Sequence, residues 1–318
     1  MADDDVPDIK FDAESASIQW RELNFEYSED QQLYHYTDIR GLHGILKSGQ
    51  LWATHMTYLN DALEIKHGIS VICGLIESQA KWLEENPEQT TNPEGVPFVA
   101  SLYRAMSKGV SGMGTNLESK LAPFVTCLSR SRDQLSQWRG YANGGYALAF
   151  DHGALESSLT QVDTDNNPIE PQPPLKLSKV AYLEEQIYEQ VKDMVQGRME
   201  GTAEEVKAKG DAKASESARQ FFDHIVDIVS TLKHRTFNEE HEYRIVARCH
   251  ETFYTESALG LIPRTSIRFD KRALSEVIVG PGAFSDLRKA SIERWLEEHR
   301  SEYGDVQLTP SRVPYREF

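Results

Sequence analysis

The hydrophobic positions of this chain fall into short runs and longer helical stripes, with no single repeating period. Leu33-Tyr34-His35-Tyr36-Thr37 is a short β-prone run. Behind it Leu42, Ile45 and Leu46 recur at helical spacing, with Thr37 or Asp38 as the cap and Gly49 as the stop. Leu51-Trp52-Ala53-Thr54 is a second strand-like run. A long stripe over about 61–85 (Leu63, Ile65, Ile69, Ile72, Leu75, Ile76, Trp82, Leu83) predicts a helix. Prolines break it over 87–97, and a second helix is expected over about 97–108.

The second half of the chain alternates less regularly. Strands are expected at 124–129 and 146–150, with a short helix over 133–139 between them. The stretch 161–174 is polar and proline-rich and reads as a loop. A strand near 176–183 leads into helices over about 184–200 and 214–235, joined by an Ala/Lys/Glu-rich segment at 201–213. Strands at 242–249, 264–269 and 275–279, a helix over 284–299 and a strand near 305–309 close the chain. Short strands separated by helices without steady alternation predict an α+β fold rather than a doubly wound parallel sheet.

Composition narrows the class. The 318 residues are 39% hydrophobic and 26% charged, enough for a sizeable core. No apolar run approaches the ~18 residues a membrane span requires. The start, Met1-Ala2-Asp3-Asp4-Asp5, lacks the basic and apolar regions of a secretory signal, so a cytoplasmic protein is expected. Cys73, Cys127 and Cys249 lie far apart, without the spacing of a disulfide scaffold or a zinc ribbon.

Charge is distributed unevenly. Lys and Arg number 34 against 50 Asp and Glu, a net of -16 that opposes bulk coating of nucleic acid. Residues 1–30 hold ten acids and two bases, so an acidic N-terminal arm carries half of that net charge. Locally the balance reverses: residues 129–139 total +2 and residues 264–272 total +3. A local basic cleft for phosphates or a nucleic acid is therefore compatible with the composition, and the acidic arm is a candidate cover for it.

The chain contains no G-x-x-x-x-G-K-[ST], no strand followed by G-x-G-x-x-G, no H-E-x-x-H and no G-x-S-x-G elbow. The ten histidines form no recognised ligand set, and no metal is expected. Four polar stretches at strand edges remain as candidate chemistry. They are Tyr34-His35-Tyr36-Thr37, Asn60-Asp61-x-x-Glu64, Ser129-Arg130-Ser131-Arg132 with Trp138-x-x-Tyr141, and Phe237-x-x-Glu240-x-Glu242-Tyr243-Arg244. Period two along the last of these places Glu240, Glu242 and Arg244 on one face. A solvated or salt-bridged edge gives the same pattern. Asn60, Asp61 and Glu64 read first as a helix cap with first-turn acids, and Trp138 as core. Lys233, His234 and Arg235 either contact an acceptor or end a helix favourably.

Taken in order, Y-H-Y-T, L-x-x-I-L-x-S-G-x-L-W, L-N-D-x-x-E, C-L-S with W-x-x-Y-A-x-x-G-G-Y-A-L-A-F, and F-x-x-E-x-E-Y-R-I resemble a bacterial domain family of unknown function over most of 33–280. That family is distantly similar to ADP-ribosyltransferases of the His-Tyr-Glu type. The opening, with His35, Thr37, Leu42, Ile45, Leu46 and Gly49, also resembles DNA-modifying toxins of the same superfamily. The resemblance implies an ADP-ribosyltransferase-like split β-sheet core at 31–318, with helical insertions near 61–120 and 184–235. It implies NAD as substrate, no metal, and transfer to a nucleic-acid or protein acceptor, in the manner of a toxin or phage-defence effector. A partner protein that holds the enzyme off is consistent with such a role. Under it Glu242 is the catalytic carboxylate, Glu240 holds or activates the acceptor, and His35 bonds the cofactor ribose. Tyr36 is a cofactor-binding residue, Thr37 bonds the nicotinamide amide or simply caps its helix, Tyr58 stacks on the nicotinamide with Tyr141 and Tyr146 as competitors, and Arg130 and Arg132 hold the diphosphate. NAD hydrolysis by water and a non-catalytic nucleotide-sensing or interaction module are the alternatives.

Overall fold

The computed structural model describes residues 32–59, 62–89, 93–115, 123–173, 175–183, 193, 197, 211–248 and 252–314. The acidic stretch at 1–30, Asn60, Asp61, Cys249 and nearly all of the helix expected over 184–200 lie outside them. The protein is a mixed α+β structure with one large mixed sheet and several helices. The chain divides into two compact units.

One unit is helical and includes 66–115 and 211–229. Its helices are α1 (Ala62–Glu85), α2 (Val96–Thr115) and α3 (Asp211–Thr231). Ile72, Ile76, Ala80, Ala100, Tyr103, Phe221 and Ile225 are buried, as an apolar stripe on each helix requires. At Gly109 an added Cβ would come 2.3 Å from the Phe222 ring, so α2 and α3 pack backbone against side chain there.

The other unit holds the sheet. Its first strand, β1 (Gln32–Thr37), leads into the short helix Ile39–Ser48 and then β2 (Gln50–His55). Asp38 caps that helix by accepting from the Gly41 N–H at 2.7 Å. Gly49 ends it in the left-handed region at φ 66, where a side chain would be strained. The strands β3 (Phe124–Ser129), β4 (Tyr146–Asp151), β5 (Thr160–Val162) and β6 (Leu175–Lys179) follow. After β7 (Ala181–Leu183) and β8 (Leu232–His234), which pair with each other, come β9 (Glu242–Ala247), β10 (Phe253–Ser257), β11 (Gly260–Arg268), β12 (Leu274–Val279) and β13 (Gln307–Pro310).

The main path runs β10-β11-β2-β3-β1-β4-β12-β13, with β5 on β11 and β9 and β6 branching from β3. Among the described residues its pairings are antiparallel except β12 with β13. Alternation along β1 sends Leu33 into the larger core with Leu148, Phe150 and Ile245, and Tyr34 and Tyr36 into a second cluster around Trp138. Both faces of β4 are covered, which is why Tyr146-Ala147-Leu148-Ala149-Phe150 is continuously apolar.

Several local readings of the sequence change, among them the following. The helix expected to reach 235 ends at Thr231, and β8 follows. The loop 161–174 begins inside β5. A strand at 253–257 was not expected; it pairs with β11, which begins at Gly260 and carries Pro263 opposite Tyr254, near the sheet's edge, where a missing N–H is tolerated.

Candidate functional site

Strand β3 is where the sheet divides. Along one edge all of its residues pair with β9, from Phe124↔Ala247 to Ser129↔Glu242. The other edge is shared: Phe124 and Val125 face β2, while Ser129 faces Tyr34 of β1. Between those pairings β1 and β2 diverge, and side chains bridge the gap. The Thr126 hydroxyl donates to the Trp52 carbonyl at 3.1 Å, and His35 Nδ1 meets the Cys127 carbonyl at 3.0 Å. A cleft of about 780 Å³ opens over this divergence, a volume typical of small-molecule sites.

His35 lines the cleft, and its chemistry is fixed by its partner. A carbonyl only accepts, so Nδ1 carries the proton and Nε2 keeps its lone pair. Burial lowers the pKa of the ring, which favours this neutral form. Thr37 lines the cleft at the end of β1. Tyr36 also borders it, but its hydroxyl donates to the Ser131 carbonyl and accepts from the Gln134 N–H at 3.2 Å. Its ring stands edge-on to buried Trp138, 4.8 Å between centroids, so most of Tyr36 serves the core. Tyr58 sits on the turn Met56–Tyr58, partly exposed and edge-on to His55. Tyr141 is a second exposed aromatic in the lining, whereas Tyr146 is buried under the Arg288 guanidinium.

The carboxylates meet at the start of β9. Glu242 is buried, and its backbone N–H donates to the Tyr182 hydroxyl at 2.8 Å. Arg244 grips the carboxylate at both oxygens, Nε to Oε1 at 2.7 Å and Nη2 to Oε2 at 3.1 Å. Buried Lys233 donates to Glu242 Oε2 at 3.0 Å and to Glu240 Oε2 at 2.6 Å. Desolvation pushes the Glu242 pKa up, yet Arg244, Lys233 and the Cys127 thiol together hold it down to about 2. Two carboxylates and two cations thus meet in a nearly dry cluster, and Glu242 stays ionised at any physiological pH.

Period two predicted Glu240 on the same strand face as Glu242, but Glu240 lies before the strand. It ends the 3₁₀ turn Arg235–Glu240, and His241 follows in the left-handed region at φ 43, which interrupts the alternation. Lys233 nevertheless brings the two carboxylates together, and Tyr141 Oη lies 3.4 Å from Glu240 Oε1. Lys233 neither ends a helix nor reaches outward; it is the buried counter-ion of the pair.

Residues 137–245 match the family described as protein of unknown function (DUF2971). The match is narrower than the expected 33–280, and it takes in Tyr141, Lys233, Glu240, Glu242 and Arg244 but not His35. No curated protein and no solved structure matches the chain.

Two expected site residues lie away from the cleft lining. Arg130 is exposed, and its backbone N–H donates to the His241 carbonyl at 3.0 Å. Arg132 holds Glu276 of β12 through two N–H groups and Thr309 of β13 at 2.8 Å, so it ties strands together. The cations that do line the cleft are Arg40, exposed on the short helix after β1, and half-buried Arg264 of β11. The sequence signalled Arg264 only as part of a basic segment. Among the described residues no cluster of His, Cys, Asp and Glu could hold a metal ion, and no helix is long and apolar enough to cross a membrane.

Proposed function

We propose that the protein is an NAD-dependent ADP-ribosyltransferase acting on a nucleic-acid or protein acceptor. The observation that carries this reading is the cleft at the divergence of β1 and β2, which gathers His35 from one strand and the Glu240–Glu242 pair from the start of β9. A sheet split beside its central strand is what an ADP-ribosyltransferase-like core would supply, and the residue types suit a ribose. His35 Nε2 accepts a hydrogen bond from a ribose hydroxyl. The negative charge of Glu242 stabilises the positive charge that develops as the bond between C1′ and nicotinamide nitrogen breaks. Nicotinamide leaves as a neutral base, the acceptor attacks C1′, and its proton passes to Glu240, the less deeply buried carboxylate. Tyr58 or Tyr141 covers the nicotinamide ring.

A second reading, a nucleotide-sensing module without catalysis, is favoured by the neutralisation of Glu242 by Arg244 and Lys233. One experiment separates these readings. The protein is incubated with NAD labelled in the adenylate moiety and with cell lysate, and released nicotinamide is measured. Nuclease or protease sensitivity of the label then identifies the acceptor. Transfer predicts nicotinamide release with macromolecular label, and release without label means hydrolysis by water. Binding without release would overturn the enzymatic reading.

A further inference from the structure

The acids and bases of the cleft are not evenly engaged. Asp38 caps its helix, Glu240 and Glu242 hold Lys233 and Arg244, and Glu256 of β10 is exposed to solvent. Arg264 is different. Its guanidinium donates to two hydroxyls, Nε to Thr255 Oγ1 at 2.6 Å and Nη1 to Thr54 Oγ1 at 2.8 Å. Among the described residues no carboxylate forms an ion pair with it. It is half-buried, and desolvation lowers its pKa, although an arginine remains charged. A desolvated cation steadied only by neutral hydroxyls is costly unless an anion joins it. Thr54 and Thr255 fix the plane of the fork, so the remaining N–H groups are presented in a set orientation.

Position adds a second constraint. Arg264 pairs with Thr54 of β2, and Thr54 pairs with Val125 at one end of β3. Glu242 pairs with Ser129 at the other end. The two chemistries are thus separated along β3 by about 13 Å, before the arginine side chain reaches back. Trp52, half-exposed in the same lining, lies beside the guanidinium, 5.9 Å from its ring centroid. An apolar plane next to a cation held only by neutral groups suits a base followed by its phosphates.

The geometry points to Arg264, oriented by Thr54 and Thr255, as the anion anchor of the cleft, taking the diphosphate of a nucleotide whose base lies towards Trp52. This rests on the NAD reading for its polarity, since it directs the other ribose to His35 and the carboxylates. It differs from that reading in what it requires, because a diphosphate anchor binds ADP whether or not NAD is cleaved.

The test is calorimetric titration of the full chain with ADP and with adenosine, for the wild type, Arg264→Gln and Thr255→Val, with circular dichroism and thermal melting as folding controls. ADP should bind the wild type more tightly than adenosine does. Arg264→Gln should weaken ADP by about tenfold or more, as loss of a charged hydrogen bond does, and leave adenosine unchanged. Thr255→Val keeps the charge and should weaken ADP by a smaller factor. Equal ADP affinity in folded Arg264→Gln overturns the anchor, as does a wild type that fails to prefer ADP over adenosine. Should Arg264→Gln not fold, an unchanged ADP affinity in Thr255→Val overturns it. If NAD is not cleaved while ADP binding still depends on Arg264, the anchor stands and the transferase reading falls. If NAD is cleaved with the same KM by Arg264→Gln, the anchor alone falls.

Discussion

Glu242→Gln isolates the electrostatics of the site. The substitution keeps the shape of the side chain but removes its charge, so Lys233 and Arg244 both lose a buried anionic partner. The carboxyl has an ordinary pKa of 4.5 and is held at about 2 in the folded chain, because Arg244, Lys233 and Cys127 outweigh its desolvation. That interval corresponds to about 3 kcal/mol of stability. Breaking a buried ion pair from one side costs about 3–5 kcal/mol, which agrees. Because the folded pKa is depressed, the contribution is complete above pH 4.5, declines as pH falls and is gone near pH 2. Urea unfolding followed by tryptophan fluorescence should therefore give a wild-type minus Glu242→Gln difference of about 3 kcal/mol at pH 7, shrinking steadily below pH 4.5. Taking the difference cancels the other carboxylates, which titrate in both proteins. A gap below about 1 kcal/mol at pH 7, or one that does not change between pH 5 and pH 2.5, would refute the argument that Glu242 is a charge-balanced anion.

Arg132→Ala should lower the melting temperature, because buried Glu276 loses a two-pronged partner at a cost of about 1–3 kcal/mol, while affinity for NAD and ADP stays unchanged. Unaltered melting combined with lost nucleotide binding would restore Arg132 to the site. Gly280→Ala should destabilise by about 1–3 kcal/mol in urea titration, since the added Cβ would sit 2.7 Å from the Gly145 carbonyl oxygen and 2.8 Å from the buried Trp138 ring. A neutral result would mean that this contact relaxes freely.

What the sequence made legible was local. The β1–helix–β2 segment could be read because the Asp38 cap, the Leu42/Ile45/Leu46 stripe and Gly49 are each signalled by neighbours in the chain. Helices at 62–85 and 96–115, and strands β3, β4, β9 and β12, follow from periodicity that burial enforces. His35 and Glu242 were nameable for the same reason, since each stands in a strand with a recognisable pattern. Glu240 was placed correctly beside Glu242 on an incorrect premise, because the alternation stops at His241 and a lysine makes the connection instead.

The residues hardest to place from sequence are those whose contacts depend on distant partners. Arg130 and Arg132 stand at a strand end, but sequence does not say which strands will flank that end. The partners of Arg132, Glu276 and Thr309, lie 144 and 177 residues away. In the sequence Arg264 is one charge in a basic run, and its orientation depends on Thr54, 210 residues earlier. The same logic limits the net charge of -16, of which half belongs to residues 1–30. At the carboxylate cluster anions and cations are held together, and at Arg264 a cation remains among hydroxyls. An anionic ligand responds to that unbalanced cation at close range, where little water intervenes, while the distant surface charges are screened within about 10 Å. Electrostatic selection at this cleft is therefore set by which side chains the split sheet brings together, and an acidic protein is no obstacle to a phosphate-bearing substrate.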